Sequence, residues 1–425
     1  MVLGFTGFLA NGLIGIISIL VLVFAAEVVV SRMESLAKFY GVSEVVIAVT
    51  IVSIGTSLPE IALHYVGSAE ILTSAGNVLQ VLSVDPVLAL FGSHAEVVGL
   101  MAEKGLISAE AANSSVQVFQ GTSGTVMGAS IGSDVVQETL VMGLVIISSA
   151  LLAKRHSFRF SRKFLIRDYA PMMATTLITL ILALNWQSII QFLSGGTLDI
   201  TGTLTRFDGL VLVSSFFAYM YYLYTTRKDE DLAETGDMKK SKNPKIDFLT
   251  GIAAMIVVVV SAEVFLRVVE VAVSQTGLSG SMIGVATVGV VSALPEMMTA
   301  ITGLRHGSEG VSLGTLVGSN VTNPLLAIGG GAVISSYAVP KPLVLWDLPM
   351  ETILAGLPVI YLFTRNQIGN TLAKPFKKLG MNSIAQTLEE AENKVLSIAG
   401  ATILILLYFV YLYIRFKYFP HDFKG

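Results

Sequence analysis

Long apolar runs, separated by turn residues and clusters of charge, follow one another along the whole chain. A helix needs about 20 consecutive apolar residues to cross the hydrocarbon core of a bilayer. Together with the turn and charge signals, the runs predict ten membrane-spanning helices. Their approximate limits are 10–32, 44–68, 125–152, 168–186, 207–226, 247–273, 281–304, 312–337, 345–364 and 395–416.

Composition supports a helical membrane protein. Only 13% of the 425 residues are charged and the mean hydropathy is +0.74, whereas soluble domains carry about 25% charged residues. The absence of Cys excludes disulfides, thiolate metal sites and cysteine nucleophiles. The net charge of −3 gives no reason to expect nucleic acid. We expect the lipid bilayer and inorganic cations as partners, with no obligate protein partner and no tightly bound cofactor.

Basic residues predict the orientation. The ends and loops after the odd-numbered spans hold 20 of the 27 Lys and Arg residues. Because cytoplasmic loops are rich in Lys and Arg, these loops are predicted to face the cytoplasm and both termini the outside. We expect an integral, multi-pass protein in the plasma membrane of a prokaryote.

The segment 69–124 does not fit a simple span. Its apolar pieces are too short to cross a bilayer and are interrupted by Pro86, Gly92 and charged residues. The orientation puts the segment on the outer face. A surface cap is favoured over a metal site that uses His94.

Two stretches of the chain are repeated. A shift of 236 residues lays Ala26–Glu60 over Ala262–Glu296, and a shift of 186 lays Gly128–Gly143 over Gly314–Gly329. The difference of 50 residues corresponds to the insertion at about 69–124. Because each half has five spans, an odd number, the second half enters the membrane in the opposite direction to the first. Inverted repeats that meet at a midplane site are a transporter architecture. We predict an all-α membrane protein with a first repeat at 1–226, a cytoplasmic linker at 227–246 and an inverted second repeat at 247–425.

The most informative positions are the two Leu-Pro-Glu motifs that end at Glu60 and Glu296. A carboxylate within an apolar span is expensive and indicates a functional site. Proline interrupts a helix, and irregular backbone at membrane depth persists only where it is buried or lines a cavity. The hydroxyls of Thr56, Ser57 and Ser292 lie within a turn of these carboxylates, so both motifs offer oxygen ligands.

Oxygen ligands of this kind favour Ca²⁺, which takes about six to eight oxygens at roughly 2.3–2.6 Å. Two glutamates would also balance the charge of a divalent ion. Transition metals prefer imidazole or thiolate, and His64 is favoured as a packed or pathway residue over a ligand. Mg²⁺ remains an alternative. Once the ion leaves, two close carboxylates cannot both stay ionised in a dry cavity, so protons or monovalent cations must replace it, as in an antiporter.

The third and eighth spans add close packing and neutral ligands. Gly128-x3-Gly132 and Gly314-x3-Gly318 allow helices to approach closely. Just beyond them, Ser133 and Gln137 lie one turn apart, as do Ser319 and Asn323. These neutral hydroxyl and amide side chains can complete coordination without adding charge. Asp134 and Glu138 lack acidic counterparts in the second half. An ion or proton pathway and a hydrated lining remain open for this pair.

These motifs resemble the α1 and α2 repeats of the cation/Ca²⁺ exchanger superfamily, which includes Na⁺/Ca²⁺ and Ca²⁺/H⁺ exchangers. The resemblance rests on GTSLPE ending at Glu60, SALPE ending at Glu296, and the two Gly-Ser motifs at Gly132 and Gly318. It implies that Glu60 and Glu296 bind Ca²⁺ at the midplane, and that spans 1 and 6 slide to switch access. It also implies oxygen ligands at Thr56, Ser57, Ser133, Ser292 and Ser319.

The departures from the family pattern concern the counter-ion. Ala293 stands where Na⁺/Ca²⁺ exchangers usually carry Ser, and amides occupy Gln137 and Asn323, where Asp or Asn is often found. These changes remove ligands for Na⁺ and suit H⁺ coupling, whereas GTSLPE is closer to the Na⁺-coupled branch. The sequence favours Ca²⁺ exchange for Na⁺ by alternating access, with Ca²⁺/H⁺ antiport as the alternative and a passive cation channel as a remote one. The predicted spans contain no Asp dyad, no Ser/His pair and no HExxH motif, so we do not expect an enzyme.

Overall fold

The computed structural model describes residues 8–40, 48–76, 78–152, 168–195, 201–226, 242–273, 279–306, 309–357, 374–381 and 398–422. Within these ranges the chain is almost entirely helical. Most of the linker predicted at 227–246 and the end of the ninth predicted span lie outside the described residues.

The first half contains eleven described helices and one short strand, β1 (Gly202–Leu204). It also contains two π-helical segments, Ala48–Val52 and Gln137–Val141. The helices are α1 (Phe8–Tyr40), α2 (Ser53–Thr56), α3 (Leu58–Ser74), α4 (Val78–Ser83), α5 (Pro86–Phe91), α6 (His94–Glu103), α7 (Ala109–Val136), α8 (Met142–Leu152), α9 (Ala170–Ala183), α10 (Trp186–Leu193) and α11 (Arg206–Thr226).

The second half has the same kind of interrupted helices. Its π-helical segments are Gly284–Val288, Asn323–Ile328 and Leu343–Asp347, the last followed by helical backbone to residue 357. Strand β2 (Tyr337–Val339) pairs antiparallel with β1. The helices are α12 (Pro244–Val273), α13 (Gly280–Ile283), α14 (Gly289–Ser292), α15 (Leu294–Arg305), α16 (Glu309–Thr322), α17 (Gly329–Ser335) and α18 (Ile398–Tyr418).

Element boundaries in the two halves are related by the sequence shifts. The π-helical segments Ala48–Val52 and Gly284–Val288 differ by 236 residues at both ends, as do α2 and α14. The π-helical segments after α7 and α16 begin at Gln137 and Asn323, which are 186 residues apart. Equivalent sequences therefore break their helices at equivalent positions, which supports the proposed pair of repeats.

The repeats also pack against each other in an equivalent way. A Cβ at Gly132 would lie 2.6 Å from Val285 Cα, and a Cβ at Gly318 would lie 2.7 Å from the Val49 carbonyl oxygen. The shift of 186 relates Gly132 to Gly318, and the shift of 236 relates Val49 to Val285, so the two contacts are equivalent. Such distances are too short for any side chain, so each Gly-Ser motif needs glycine to bring its helix against the interrupted span of the other half.

Helix length and hydropathy identify five described helices that can cross a membrane. A sixth arises if α2 with its π-helical segment and α3 form one span, bent by 53°. The all-helical membrane fold is therefore confirmed, while the count of ten spans stays a prediction. The predicted fourth span at 168–186 contains α9, a helix of 14 residues, and is followed by the separate α10.

The inserted segment 69–124 folds as short helices on the end of the core. Helices α4 to α6 enclose a small apolar cluster with the start of α7, which begins at Ala109 instead of the predicted 125. The His94 backbone N–H donates to Ser336 Oγ at 2.9 Å, and His94 Nε2 lies 2.9 Å from Ser115 Oγ. Burial and the charge of Arg206 lower the pKa of His94 to about 4. His94 is thus a neutral packing residue, as the surface-cap interpretation expects.

Helices α1 and α12 form a pair at the side of the core. Their contact is a separate apolar cluster that includes Val29 and Met33 from α1 and Met255 from α12. Arg32 joins Asp247 across the pair at 2.7 Å. The site-bearing helices lie instead in the large central cluster, which draws on both halves.

Candidate functional site

Both Leu-Pro-Glu motifs start a new helix inside a membrane span. The helix breaks at Ser57 before α3 and at Ala293 before α15, and Pro occupies the first turn after each break. Proline is tolerated there because first-turn N–H groups have no intrahelical partner. Glu60 and Glu296 stand in these first turns, and both side chains are fully buried.

A chain of hydrogen bonds joins the two glutamates. Ser133 Oγ donates to Glu60 Oε1 at 2.9 Å and accepts from Gln137 Nε2 at 3.1 Å. Gln137 Nε2 also reaches Ser319 Oγ at 3.2 Å, and Ser319 Oγ lies 3.3 Å from Glu296 Oε1. Side chains from both Gly-Ser motifs thus meet between the two carboxylates.

Ser57 completes this network from the first break. Its Oγ lies 2.8 Å from Ser319 Oγ and 3.4 Å from Glu296 Oε1. The hydroxyls of Thr56 and Ser292 donate to backbone carbonyls at 3.2 Å. Thr56 also interacts with Glu296, and Ser292 with Glu60, so each break places a hydroxyl beside the carboxylate of the opposite half.

The glutamates keep oxygen atoms that the described protein does not satisfy. Oε2 of Glu60 and Oε2 of Glu296 are buried and have no hydrogen-bond partner among the described residues. A buried, unpaired carboxylate is costly unless a proton or cation accompanies it. No group of three or more described His, Asp or Glu side chains is placed to hold a metal ion. Among the described residues, the oxygen donors of this network are therefore the two glutamates and neutral hydroxyl and amide groups.

Two amide contacts flank this network and are related by the 186-residue shift. Asn320 Nδ2 donates to Gln137 Oε1 at 3.3 Å, and Asn323 Nδ2 donates to Asp134 Oδ1 at 2.7 Å. Asn323 was predicted as a ligand; its amide nitrogen binds Asp134 while its amide oxygen has no partner among the described residues, so its role as a ligand stays a prediction. One flank is therefore neutral, whereas the other carries a carboxylate.

Further acidic side chains are buried near Asp134. Glu138 and Glu351 are each 2% exposed, and Glu138 interacts electrostatically with both Glu351 and Asp134. Neither Glu138 oxygen has a hydrogen-bond partner among the described residues. Asp347 lies one turn before Glu351 but is bound by Arg415 Nε at 2.8 Å and by the Tyr411 hydroxyl at 2.7 Å.

His64 packs one turn beyond Glu60 without facing the carboxylates. Its Nδ1 lies 2.9 Å from the Tyr337 hydroxyl and its Nε2 lies 2.8 Å from Ser130 Oγ. Both ring nitrogens have partners, which agrees with its prediction as a packed residue.

Asn320, Glu351 and Asp347 were not among the predicted site residues. The sequence did hold a signal for the two acids, because a carboxylate in an apolar run marks a candidate site whether or not it belongs to a repeated motif. Asn320 gave no such signal, since only the fold reveals its contact with Gln137.

The fold and this buried network define a multi-pass membrane protein of the cation-exchanger type. The sequence signature of the family described as "Sodium/calcium exchanger protein" matches residues 11–81, 65–225 and 246–417. The chain belongs to the sodium/calcium exchanger family, and the predicted superfamily resemblance is confirmed. Its relatives are exchangers and transporters, not enzymes.

Individual relatives are distant but cover most of the chain. Inner membrane protein YrbG of Escherichia coli strain K12 is 21% identical over 75% of this chain and 78% of its own length. Sodium/calcium exchanger MaX1 of Methanosarcina acetivorans is 21% identical over 83% of this chain and 91% of its own.

Solved structures of the sodium-calcium exchanger NCX_Mj share the fold. The form soaked with 10 mM Na⁺ and zero Ca²⁺ has a TM-score of 0.55 at 19% identity and covers 95% of this chain and 96% of that chain. The form soaked with zero Na⁺ and Ca²⁺ also has a TM-score of 0.55, at 18% identity.

Proposed function

We propose that the protein exchanges Ca²⁺ for Na⁺ across a membrane by alternating access, with Glu60 and Glu296 as the central Ca²⁺ ligands. The observation that carries this proposal is the chain of hydrogen bonds that joins the two buried glutamates while each keeps an unpartnered oxygen. The relative MaX1 is a sodium/calcium exchanger, which agrees with it.

The oxygen atoms around the glutamates fit a calcium ion. Two carboxylates provide four oxygens and the charge needed to balance a divalent cation. Thr56, Ser57, Ser133, Ser292 and Ser319 surround them with hydroxyls. Gln137 is the proposed amide ligand between Ser133 and Ser319; its Nε2 donates to both hydroxyls and its Oε1 accepts from Asn320. Ca²⁺ accepts about six to eight such ligands in flexible geometry. Asn323 is included in the proposed ligand set because its amide oxygen is buried and unpartnered among the described residues while its nitrogen binds Asp134.

The counter-ion has two candidates, and one position separates them. Ser57 contacts both Glu296 and Ser319, but its repeat equivalent is Ala293, so Glu60 has no matching hydroxyl. A missing hydroxyl weakens a Na⁺ site, because Na⁺ is held by oxygen ligands. Exchange of Ca²⁺ for H⁺ is therefore the second candidate.

The pair α1 and α12 suits the moving part. Their shared apolar cluster is separate from the central core, although both helices lie next to the interrupted spans. A pair with its own core can shift against the rest without opening the central cluster. We propose that movement of this pair exposes the glutamates alternately to the two sides.

The proposed membrane topology follows the distribution of Lys and Arg. It places both termini outside and the 227–246 linker inside the cell, in the plasma membrane of a prokaryote. The two repeats, 1–226 and 247–425, then have opposite orientations, and the insertion caps the outer side.

Uptake of radiolabelled Ca²⁺ into proteoliposomes tests the function. A Na⁺ gradient and a pH gradient are imposed separately, each with the membrane potential clamped. We expect an outward Na⁺ gradient to drive uptake and a pH gradient alone to drive little.

Three other outcomes distinguish the alternatives. Uptake driven by the pH gradient alone would establish H⁺ coupling in place of Na⁺. Flux that ignores both gradients would indicate a channel and contradict exchange. Uptake of Mg²⁺ in preference to Ca²⁺ would contradict the proposed ion.

A further inference from the structure

Three buried carboxylates lie on one side of the proposed exchange site. Asp134, Glu138 and Glu351 are 1%, 2% and 2% exposed, respectively. Asp134 and Glu351 interact electrostatically, and Glu138 interacts with both. The remaining titratable neighbours in the described chain are Tyr169 beside Glu138, Asp347 beside Glu351, and Glu296.

These carboxylates keep oxygens that no described residue satisfies. The unpartnered atoms are Asp134 Oδ2, both Oε atoms of Glu138 and Glu351 Oε2. The amide oxygen of Asn323, whose nitrogen binds Asp134, is buried and unpartnered as well. Arg415 is the buried cation of this region, and it is bound to Asp347. The described chain thus leaves this acidic side without a positive charge. Burying carboxylates in an apolar interior without a compensating cation or proton is costly.

The acidic side is not repeated on the opposite flank. The 186-residue shift relates Asp134 to Asn320 and Glu138 to Pro324, so the equivalent positions carry no charge. A purely structural feature of the repeat would be expected in both halves. The difference between the flanks points to a role that concerns only one face of the membrane.

The position of Glu138 indicates which face. Glu138 lies five residues beyond Ser133 in the direction of α8, about 7.5 Å along the helix axis at ~1.5 Å per residue. The insertion packs at the opposite end of this helix, near Ala109. The acidic side therefore extends from the glutamates towards the face where α8 ends, which is the predicted cytoplasmic face.

We infer that Asp134, Glu138 and Glu351 form a cation relay that connects the exchange site with the face at the end of α8. The inference rests on the proposed function, since the relay serves ions that reach or leave Glu60 and Glu296. The ligands are hydrated or partly hydrated hard cations, which carboxylate oxygens bind.

The arrangement suits transit more than storage. No three of the described acidic side chains converge on one metal position, so the cluster lacks the compact cage that would retain a divalent ion. Carboxylates spaced along a path instead concentrate cations locally and speed their arrival. Asn323 links this path to the exchange site through its bond to Asp134.

Thiol accessibility tests the relay without reference to transport. The chain has no Cys, so Glu138→Cys and Glu351→Cys each introduce one reactive group. The probe is Ag⁺, a thiol-reactive monovalent cation, applied to right-side-out or inside-out vesicles. Later labelling of the denatured protein with a maleimide dye measures the thiols that remain. Leu140→Cys is the matched control, because Leu140 lies two residues from Glu138 and packs against the apolar core.

We expect Ag⁺ to react with both variants from the face at the end of α8, at least about tenfold faster than with Leu140→Cys. Uncharged N-ethylmaleimide should show no such advantage. Reaction no faster than in the control, or reaction from the insertion face alone, would overturn the relay. Because no Ca²⁺ flux is measured, failure of the relay and failure of the exchange function give different results.

Charge-neutralising variants provide a second measurement in case the Cys variants do not fold. Glu138→Gln and Glu351→Gln preserve shape and remove the negative charge. Each should raise the half-saturating Ca²⁺ concentration by about tenfold on the face at the end of α8. The value on the other face should change much less. Equal changes on both faces would contradict a one-sided relay.

Discussion

Two groups of buried carboxylates have different partners in this fold. Asp347 has both oxygens occupied, one by Arg415 and one by the Tyr411 hydroxyl, and the ion pair is fully buried. Among the described side chains, Glu60 and Glu296 are contacted by hydroxyl groups and by no cation, and each keeps an unpartnered oxygen. Their burial is equal, so the difference lies in what compensates the charge.

This difference separates structural from functional acids. A carboxylate that already has a guanidinium needs nothing from outside the protein. A pair of carboxylates that has only neutral donors must take its positive charge from solution, and it can release that charge again. We call Glu60 and Glu296 the open pair, and Asp347 with Arg415 the closed pair. The comparison predicts that removing an acid from the open pair affects transport, whereas breaking the closed pair affects stability.

The largest expected effect is at the open pair. Glu60→Gln and Glu296→Gln should each abolish Ca²⁺ uptake into proteoliposomes, because one remaining carboxylate cannot balance a divalent ion in a dry site. Glu70→Gln is the matched control, since Glu70 lies on the same helix as Glu60 but is exposed. Normal uptake by either site variant would show that the ligand assignment is wrong.

The next effect concerns the closed pair. Arg415→Met leaves Asp347 buried and unpaired, which should lower the free energy of unfolding by about 3–5 kcal/mol. Thermal unfolding of the purified protein in detergent measures the loss. The double variant Asp347→Leu with Arg415→Met should recover most of it, because neither charge remains. If the double variant is no more stable than the single one, the ion pair is not the cause.

A smaller effect is expected from the hydroxyls around the open pair. Ser133→Ala and Ser319→Ala each remove a hydrogen bond to a buried carboxylate, a contribution of about 1.5–3 kcal/mol. We expect each to raise the half-saturating Ca²⁺ concentration by roughly tenfold or more. Ser83→Ala, at an exposed position of the insertion, should have no effect. Unchanged affinity in both site variants would remove the hydroxyls from the ligand set.

The smallest effect sharpens the choice of counter-ion. Ala293→Ser restores the hydroxyl that Ser57 provides in the other half, and it should lower the half-saturating Na⁺ concentration several-fold. The exposed Ala253→Ser serves as the control. If Na⁺ dependence does not change while pH dependence does, the counter-ion is H⁺.

Much of the core could be predicted because the two sequence shifts show which positions of the halves are equivalent. The prolines of the two Leu-Pro-Glu motifs and the shift of 236 predicted equivalent helix interruptions, and the structure has them at Ser57 and Ala293. The cation site predicted at Glu60 and Glu296 stays a prediction, although the two side chains share one hydrogen-bond network. The start of α7 was missed because its first turns are polar. Only one face of those turns packs against protein, where Ala112 and Ser115 are buried and Ser115 bonds His94 and Ser74, so hydropathy gives no signal.

The rest depended on contacts between distant segments. Asn323 was predicted as a ligand from its place after the second Gly-Ser motif, and only the fold shows that its amide nitrogen also binds Asp134. Likewise, Asp347 and Glu351 are similar in sequence terms. Asp347 is paired and Glu351 keeps an unpartnered oxygen because of the position of Arg415, which lies 68 residues beyond Asp347 in the chain.

Equilibrium binding of radiolabelled Ca²⁺ to the purified protein tests the central claim most directly, because it needs no gradient and no assumption about the counter-ion. Wild-type protein and Glu70→Gln should bind Ca²⁺ saturably, whereas Glu60→Gln and Glu296→Gln should lose this binding. Arg415→Met, where it remains folded, should retain it. Saturable binding of unchanged affinity in Glu60→Gln or Glu296→Gln would contradict the assignment of the open pair as the calcium site.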